Sequence, residues 1–398
     1  MNTKIKEKKE RLIDQSLVVL RRLRILWVVY FSVLLLSFCL FDLCAFLLVY
    51  SVWGSFRGGA DISGPQFYFL LILTIVLGIF FVFVIRPLII LLKMRVNTGT
   101  KLESSDNQAL FAFIDSVSEK VSSQMNAEGF NYSYPDTEVF VDNDCYVSYH
   151  YLKFTDCLFG RKMVLTIGIP GIMSMNQSEF EAFLIRALSI SDDIRTRIKY
   201  LASFWCKAFS DYDNTLHDGS AEVYGFTKGL AWRFAHWVMV LLAKPFNKLF
   251  DEHSSLEILY ELYMDNVSAW ISGKDTSIAA IIKNDYLTDK WEEFRVILKN
   301  QGRDEGTAPD NCLLAFRKFA FDDADFSDDR DIEEEKPVLQ YRVDSILLDA
   351  MASESAEEEV NETPALCLFD SAMVHRVFDS TPDEISRKYL GNRKLVRK

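Results

Sequence analysis

The sequence predicts a mainly helical α+β protein with a small sheet, preceded by a two-helix transmembrane hairpin. Three observations carry that prediction. Two long apolar runs lie within the first 92 residues. Behind them the apolar periodicity shifts from near 3.6 to 2 and back. Two Ser-x-x-Glu signals then stand ahead of amphipathic stretches, as capping boxes do.

Residues 1–24 form a basic N-terminus containing Lys4, Lys6, Lys8, Lys9, Arg11, Arg21, Arg22 and Arg24. Residues 25–52 are apolar over more than the roughly 20 residues a spanning helix needs and make the first expected transmembrane helix. Residues 53–66 read as an external loop with one cation, Arg57. Residues 67–92 make the second span and its exit, with FYFLLILTIVLGIFFVFVI at 67–85 and Arg86-Pro87 behind it. Apolar cores of this length exceed that of a cleavable signal peptide. Cations flank the outer ends of both spans, where Lys93, Arg95 and Lys101 follow the second. The positive-inside rule therefore predicts a multi-pass cell-membrane protein in contact with the lipid bilayer, with both termini and the main domain cytoplasmic. Asp42 falls inside the first run. It is either an intramembrane functional site or a residue near the outer interface, since 17 apolar-rich residues precede it.

After the spans, LFAFIDSVSEKVSSQM has helical spacing, predicting a helix over 102–126. TEVFVDNDCYVSYHYLKF alternates as one strand, and RKMVLTIGI is its partner, stopped by Pro170 and Gly171. Ser178 with Glu181 opens a helix whose Phe180, Phe183, Leu184, Ala187 and Leu188 share a face. Ser254 with Glu257 opens a second, SLEILYELYMDNVSAWISG, closed by Gly273. Residues 231–250 have an apolar core of about ten residues, short for a third crossing. They read as a core helix or as one lying on the membrane with Trp232, His236 and Trp237 at the interface.

Net charge is −12, with acid concentrated at 321–335 and 354–362, segments that serve as solvated loops or as docking sites. An acidic soluble part excludes a nucleic-acid groove, which needs clustered Lys and Arg. The seven cysteines are scattered without a C-x-x-C pair, the pattern of reduced thiols. The five histidines are too far apart for a helical ligand pair.

The ordered series EVFVDNDCYVSY, LFGRKMVLTIGIP, MNQSEFEAFLIRALS and ELYMD…SAWISG resembles the membrane zinc metallopeptidases of the HtpX and CAAX-prenyl-endopeptidase type. The resemblance implies a gluzincin-like metallopeptidase domain over 100–305, completed by an acidic extension over 306–398. In that family two histidines at i and i+4 bind zinc, the glutamate between them is general base, and a later helix supplies a third ligand. Laid on that pattern, Arg186 stands at the first histidine, Ala187 at the base and Ile190 at the second histidine. Glu261 matches the third ligand and Asp265 the acid four residues on. In ETPALCLF, Thr363 replaces the family's C-terminal histidine and Phe369 its arginine. This is the frame of a peptidase without its chemistry, so the resemblance implies no catalytic residue, no metal ligand and no zinc or other cofactor.

Arg186 either bridges to Glu261, joining two helices where zinc would have done so, or turns to solvent and leaves Glu261 solvated. The function implied is a membrane-anchored pseudopeptidase that binds or regulates a protein or peptide partner. Two alternatives remain open. One is an active zinc metalloendopeptidase whose displaced ligands, such as His150 or His253, converge on Glu261. The other is a membrane module acting through its hairpin, with Asp42 as the polar element. Cys206 and Cys145 have no histidine beside them in sequence to make them nucleophiles.

Overall fold

A computed structural model describes residues 3–56, 64–96, 99–127, 132, 137–161, 163–190, 194–221, 226–321, 337–350, 361–389 and 395–397. Both acidic stretches therefore lie almost wholly outside the described residues, as do residues 57–63 of the loop expected between the spans. The chain is mainly helical with a small mixed sheet and two apolar N-terminal helices.

The basic N-terminus is not a separate segment, because one helix, α1 (Thr3–Phe56), runs through it and the first apolar run. At 1.5 Å per residue it is about 80 Å long. Its inner part is ordered by burial at Leu12, Ser16, Val19, Leu23, Leu26 and Tyr30. Those positions alternate steps of four and three, the spacing of a coiled-coil seam. The seam packs against α7 (Phe226–Ser272), which buries Leu242, Leu249, Leu256, Tyr260 and Tyr263. Beyond Tyr30, α1 turns its apolar side chains outward, with Leu35 63% exposed, and pairs with α2 (Gly64–Lys93). Phe41 stacks on Phe81 at 6.4 Å, and Gly78 leaves room for the Phe41 ring. Both helices are long and apolar enough to cross a membrane, and only 11% of each apolar window is buried, unlike core helices.

The sheet has strand order β1 (Thr100–Lys101), β2 (Glu138–Asp142), β4 (Val164–Gly168), β3 (Val147–His150). The single strand expected before residue 154 is in fact two. β4 lies between them, parallel to β2 and antiparallel to β3. Asp142 makes the break, accepting hydrogen bonds from Asp144 N at 3.1 Å and Tyr146 Oη at 3.0 Å. The helix expected from 102 begins later, as α3 (Gln108–Ala127). α4 (Phe154–Phe159) links β3 to β4, and a 3₁₀ turn at Pro170–Ile172 follows β4, where Pro170 and Gly171 were expected to stop the strand.

α5 (Gln177–Leu188) is capped two residues before the expected Ser178. Asn176 is the N-cap and shares reciprocal hydrogen bonds with Glu179, while Ser178 Oγ accepts from Asn361 N. α6 (Ile194–Ala221) and α7 follow. The second expected cap lies inside α7, where Ser254 Oγ donates back to Phe250 O at 3.0 Å. Packing against α1 carries the helix through that signal and through Pro245. Residues 231–250 are thus part of one long helix, and the side chains of Trp232, His236 and Trp237 lie outside the described residues. Gly273, with φ of 88°, separates α7 from α8 (Lys274–Asp304) as expected.

Next come β5 (Thr307–Ala308), α9 (Cys312–Phe321), α10 (Pro337–Ala350), a 3₁₀ turn at Ala365–Leu368, α11 (Ser371–Tyr389) and β6 (Val396–Arg397), which pairs in parallel with β5. Trp291 on α8 gathers α9 and α11 through Phe316 at 4.8 Å and Phe378 at 5.5 Å.

Candidate functional site

The site is built where α5, α7 and α10 meet. Ser268 Oγ donates to Ala182 O at 2.7 Å, which fixes the register of α7 against α5. One helical turn along each from that contact, Arg186 faces Asp265. Arg186 Nε donates to Asp265 Oδ1 at 2.6 Å. From α10, Arg342 donates through Nε to Oδ2 at 2.7 Å and through Nη2 to Oδ1 at 3.0 Å. Asp265 is 0% exposed, so one buried carboxylate joins three helices with both oxygens engaged. Burial pushes its pKa up, but the Arg186 and Arg342 guanidiniums outweigh that and hold it below the ordinary carboxylate range.

The expected Arg186–Glu261 bridge is replaced by this network. In the register set by Ser268 and Ala182, Glu261 falls a turn beyond Arg186, level with the end of α5. Glu261 is half-buried and has no hydrogen bond or ion pair among the described residues. Ala187 and Ile190 are buried apolar positions, and Ile190 lines a cavity of about 40 Å³ with Tyr260 and Tyr263.

The segment carrying Thr363 and Phe369 does return to α5, but to its N-terminus. Gln177 N donates to Thr363 O at 2.7 Å, and Ala365 N donates to Met175 O at 2.9 Å. Nine residues, about 13 Å of helix rise, separate that contact from Arg186. The Thr363 side chain is exposed, and Phe369 packs on Phe180 at 5.9 Å. The structure therefore unites Arg186 with Asp265 and leaves Thr363 and Phe369 outside the cluster. Asp42 is elsewhere, exposed on α1 twelve residues past Tyr30, with no hydrogen bond or ion pair among the described residues.

The histidines of the alternative reading are also placed. His150 lies in β3 with Nδ1 2.9 Å from Ser148 Oγ, and burial lowers its pKa to about 4, leaving a neutral ring. His253 sits two turns before Glu261 on α7, 3.6 Å from Glu257. Among the described residues, no three His, Cys, Asp or Glu side chains converge as metal ligands would. The Cys145 and Cys206 thiols are buried, which raises both pKa values, Cys206 to about 12.

Two features escaped the sequence reading. Arg342 had a signal: Leu339, Val343 and Ile346 share a face with it and form a small cluster with Ile281. Asp142 had none, since its burial depends on the sheet and on α11. It lies in a groove of about 600 Å³ with Asn143, Arg376, Ser380, Glu384 and Arg387. Burial, joined by the neighbouring Asp144 and Glu384 charges, pushes its pKa up to about 6 against the hydrogen bonds from Asp144 N and Tyr146. Unfolded, the group titrates near 4 (about 3.9). The native state therefore holds the extra proton between those values, and stability falls as pH rises through about 6. Asp142→Asn is expected to flatten that fall and to stabilise the protein at pH 8 by about 1 kcal/mol, read from thermal unfolding at pH 5 and 8. An unchanged pH slope would exclude Asp142 as its source.

Comparison with protein-family models, curated proteins and solved structures finds no match to this chain.

Proposed function

We propose that this chain is a catalytically inactive, membrane-anchored protein with an HtpX-type, gluzincin-like frame, whose cytoplasmic domain binds or regulates a protein or peptide partner. The observation that carries the reading is the Arg186–Asp265–Arg342 network. At the positions where the resemblance calls for two zinc-binding histidines and a base, the chain has a guanidinium, a methyl group and a branched alkyl group. The nearby buried carboxylate has both oxygens engaged by cations. These residues do not fit zinc. A buried charge network joining three helices supplies register between them in place of a metal. The two apolar helices and the cations flanking them support an anchor with the domain on the cytoplasmic side.

The test is the metal content of the detergent-purified full chain by mass spectrometry, beside Glu261→Ala. Zinc below about a tenth of an equivalent in both is the expected result, scaled against the one equivalent a zinc peptidase holds. About one equivalent, lost in the variant, would restore the metallopeptidase assignment. Mild solubilisation of native membranes should also release the chain with a stoichiometric protein partner. Release of the chain alone would remove the binding half of the reading.

A second reading, action through the hairpin, rests on Asp42, an exposed acid far inside an apolar helix. Asp42→Asn would then abolish partner recovery while Arg342→Ala left it unchanged. The first reading expects the reverse.

A further inference from the structure

The aromatic layer where α1, α2, α6 and α7 meet puts residues from distant parts of the chain at one height. Tyr30 Oη donates to Val84 O at 2.9 Å, and Tyr212 Oη donates to Phe83 O at 3.3 Å. The Phe209 and Phe246 rings meet at a tilt, their centroids 5.2 Å apart, so the corresponding level on α7 is near residue 243. On one side of this level, α1 and α2 expose apolar side chains, among them Leu35, Leu36, Phe38 and Val82. On the other side begin four ten-residue stretches of helix, 21–30, 84–93, 203–212 and 243–252, each about 15 Å deep. Arg22 on α1 meets Glu252 on α7 at 3.4 Å near the far edge of this band, so the heights agree there too.

The charge in this band is opposite to that of the chain. The four stretches contain eight Lys and Arg against three Asp and Glu, whereas the whole chain has 44 against 56. Glu252 is taken by Arg22 and Gln15, and the other two acids are Asp211 and Asp251. Arg21, Arg24, Lys93, Lys207, Lys244 and Lys248 are all exposed and have no ion pair among the described residues. Arg86, half-buried beside Tyr212, adds a seventh cation at the upper edge. The cations on α1 and α2 flank the apolar runs, as topology signals do. Lys207, Lys244 and Lys248 are more than a hundred residues away in sequence and reach the same level only through folding.

We propose that this collar is a binding surface for anionic phospholipid headgroups, and that α6 and α7 extend it beyond the two anchoring helices. The proposal rests on the reading that α1 and α2 cross the bilayer with the collar at its cytoplasmic face. Unpaired cations at the foot of an apolar span meet the headgroup layer, where each contributes about 1 kcal/mol of attraction to an anionic surface. The attraction falls within a Debye length, about 8 Å at physiological salt, so a collar beginning at the layer itself is within reach.

The test reconstitutes the full chain in phosphatidylcholine vesicles containing trace spin-labelled phosphatidylserine or spin-labelled phosphatidylcholine. The motionally restricted lipid is read by electron spin resonance. The wild type should favour the serine lipid by at least about threefold at low salt. That preference should shrink in 0.5 M NaCl and fall by at least about half in Lys207→Gln/Lys244→Gln/Lys248→Gln. Equal restriction of both labels, or a preference the triple substitution leaves intact, would overturn the collar while leaving the spans in place. No restricted component with either label would overturn the spanning reading itself, and the collar with it.

Discussion

Asp265→Ala is expected to destabilise the protein by about 3–5 kcal/mol, because it strands two guanidiniums in a place made for their shared partner. The expected effect is larger than that of an ordinary surface ion pair, about 0–1 kcal/mol, since Asp265 is fully buried. Arg186→Met/Asp265→Leu/Arg342→Met removes all three charges at once and should cost far less than the single change, as replacement of buried charge clusters often does. Thermal unfolding in one detergent checks both. If Asp265→Ala melted within about 1 kcal/mol of the wild type, the network would hold no register. If the triple variant were the worse of the two, packing rather than charge would be the issue. The pH dependence has a definite sign. The guanidiniums hold Asp265 below its ordinary range, so its contribution is complete at neutral pH. It is lost as pH falls from about 4 through the lower folded value.

The network also marks the limit of what the chain discloses unfolded. The two long apolar helices were legible because a run of that length, enough to cross a bilayer, is visible without knowing any partner. Gly273 was legible for a similar local reason, its positive φ. The partner of Arg186 was not. Glu261 and Asp265 lie one turn apart on α7, and choosing between them needs the register of two helices some 79 residues apart, which Ser268 and Ala182 set. Local signals also gave false boundaries. Ser254 and Glu257 satisfy a capping pattern, but the long seam with α1 keeps α7 helical through them. That seam was itself readable at Leu12, Ser16, Val19, Leu23, Leu26 and Tyr30, but Arg21, Arg22 and Arg24 led residues 1–24 to be read as a basic segment apart from the apolar run. The seam is buried while Arg21 and Arg24 are exposed on the same helix, so one continuous α1 carries both features.

Trp205→Ala should have an effect of the same size, at the place where the apolar N-terminal helices meet the rest of the fold. Trp205 is 1% exposed on α6 and makes edge contact with Tyr30 of α1 at 5.4 Å. It also meets Trp27 at 6.5 Å, Phe154 of α4 at 6.4 Å and Phe209 at 5.7 Å. Truncating a buried tryptophan costs about 3–5 kcal/mol through lost transfer energy and the cavity left behind. Its indole Nε1 has no hydrogen-bond partner among the described residues, so the loss is one of packing, and Trp205→Phe should recover more than half of it. A local readout comes from the next residue. The Cys206 thiol is held at a pKa of about 12, chiefly by burial and secondarily by the Glu257 charge, and should react slowly with maleimide in the wild type. Opening the cavity should speed its labelling by about tenfold or more, resolved from the other six cysteines by peptide mass mapping. A lower melting temperature with Cys206 still protected would place the weakness elsewhere in the fold. Faster labelling in Trp205→Ala but not in Asp265→Ala would show that the joint around Trp205 and the three-helix network open independently, as two separately stable parts of one protein.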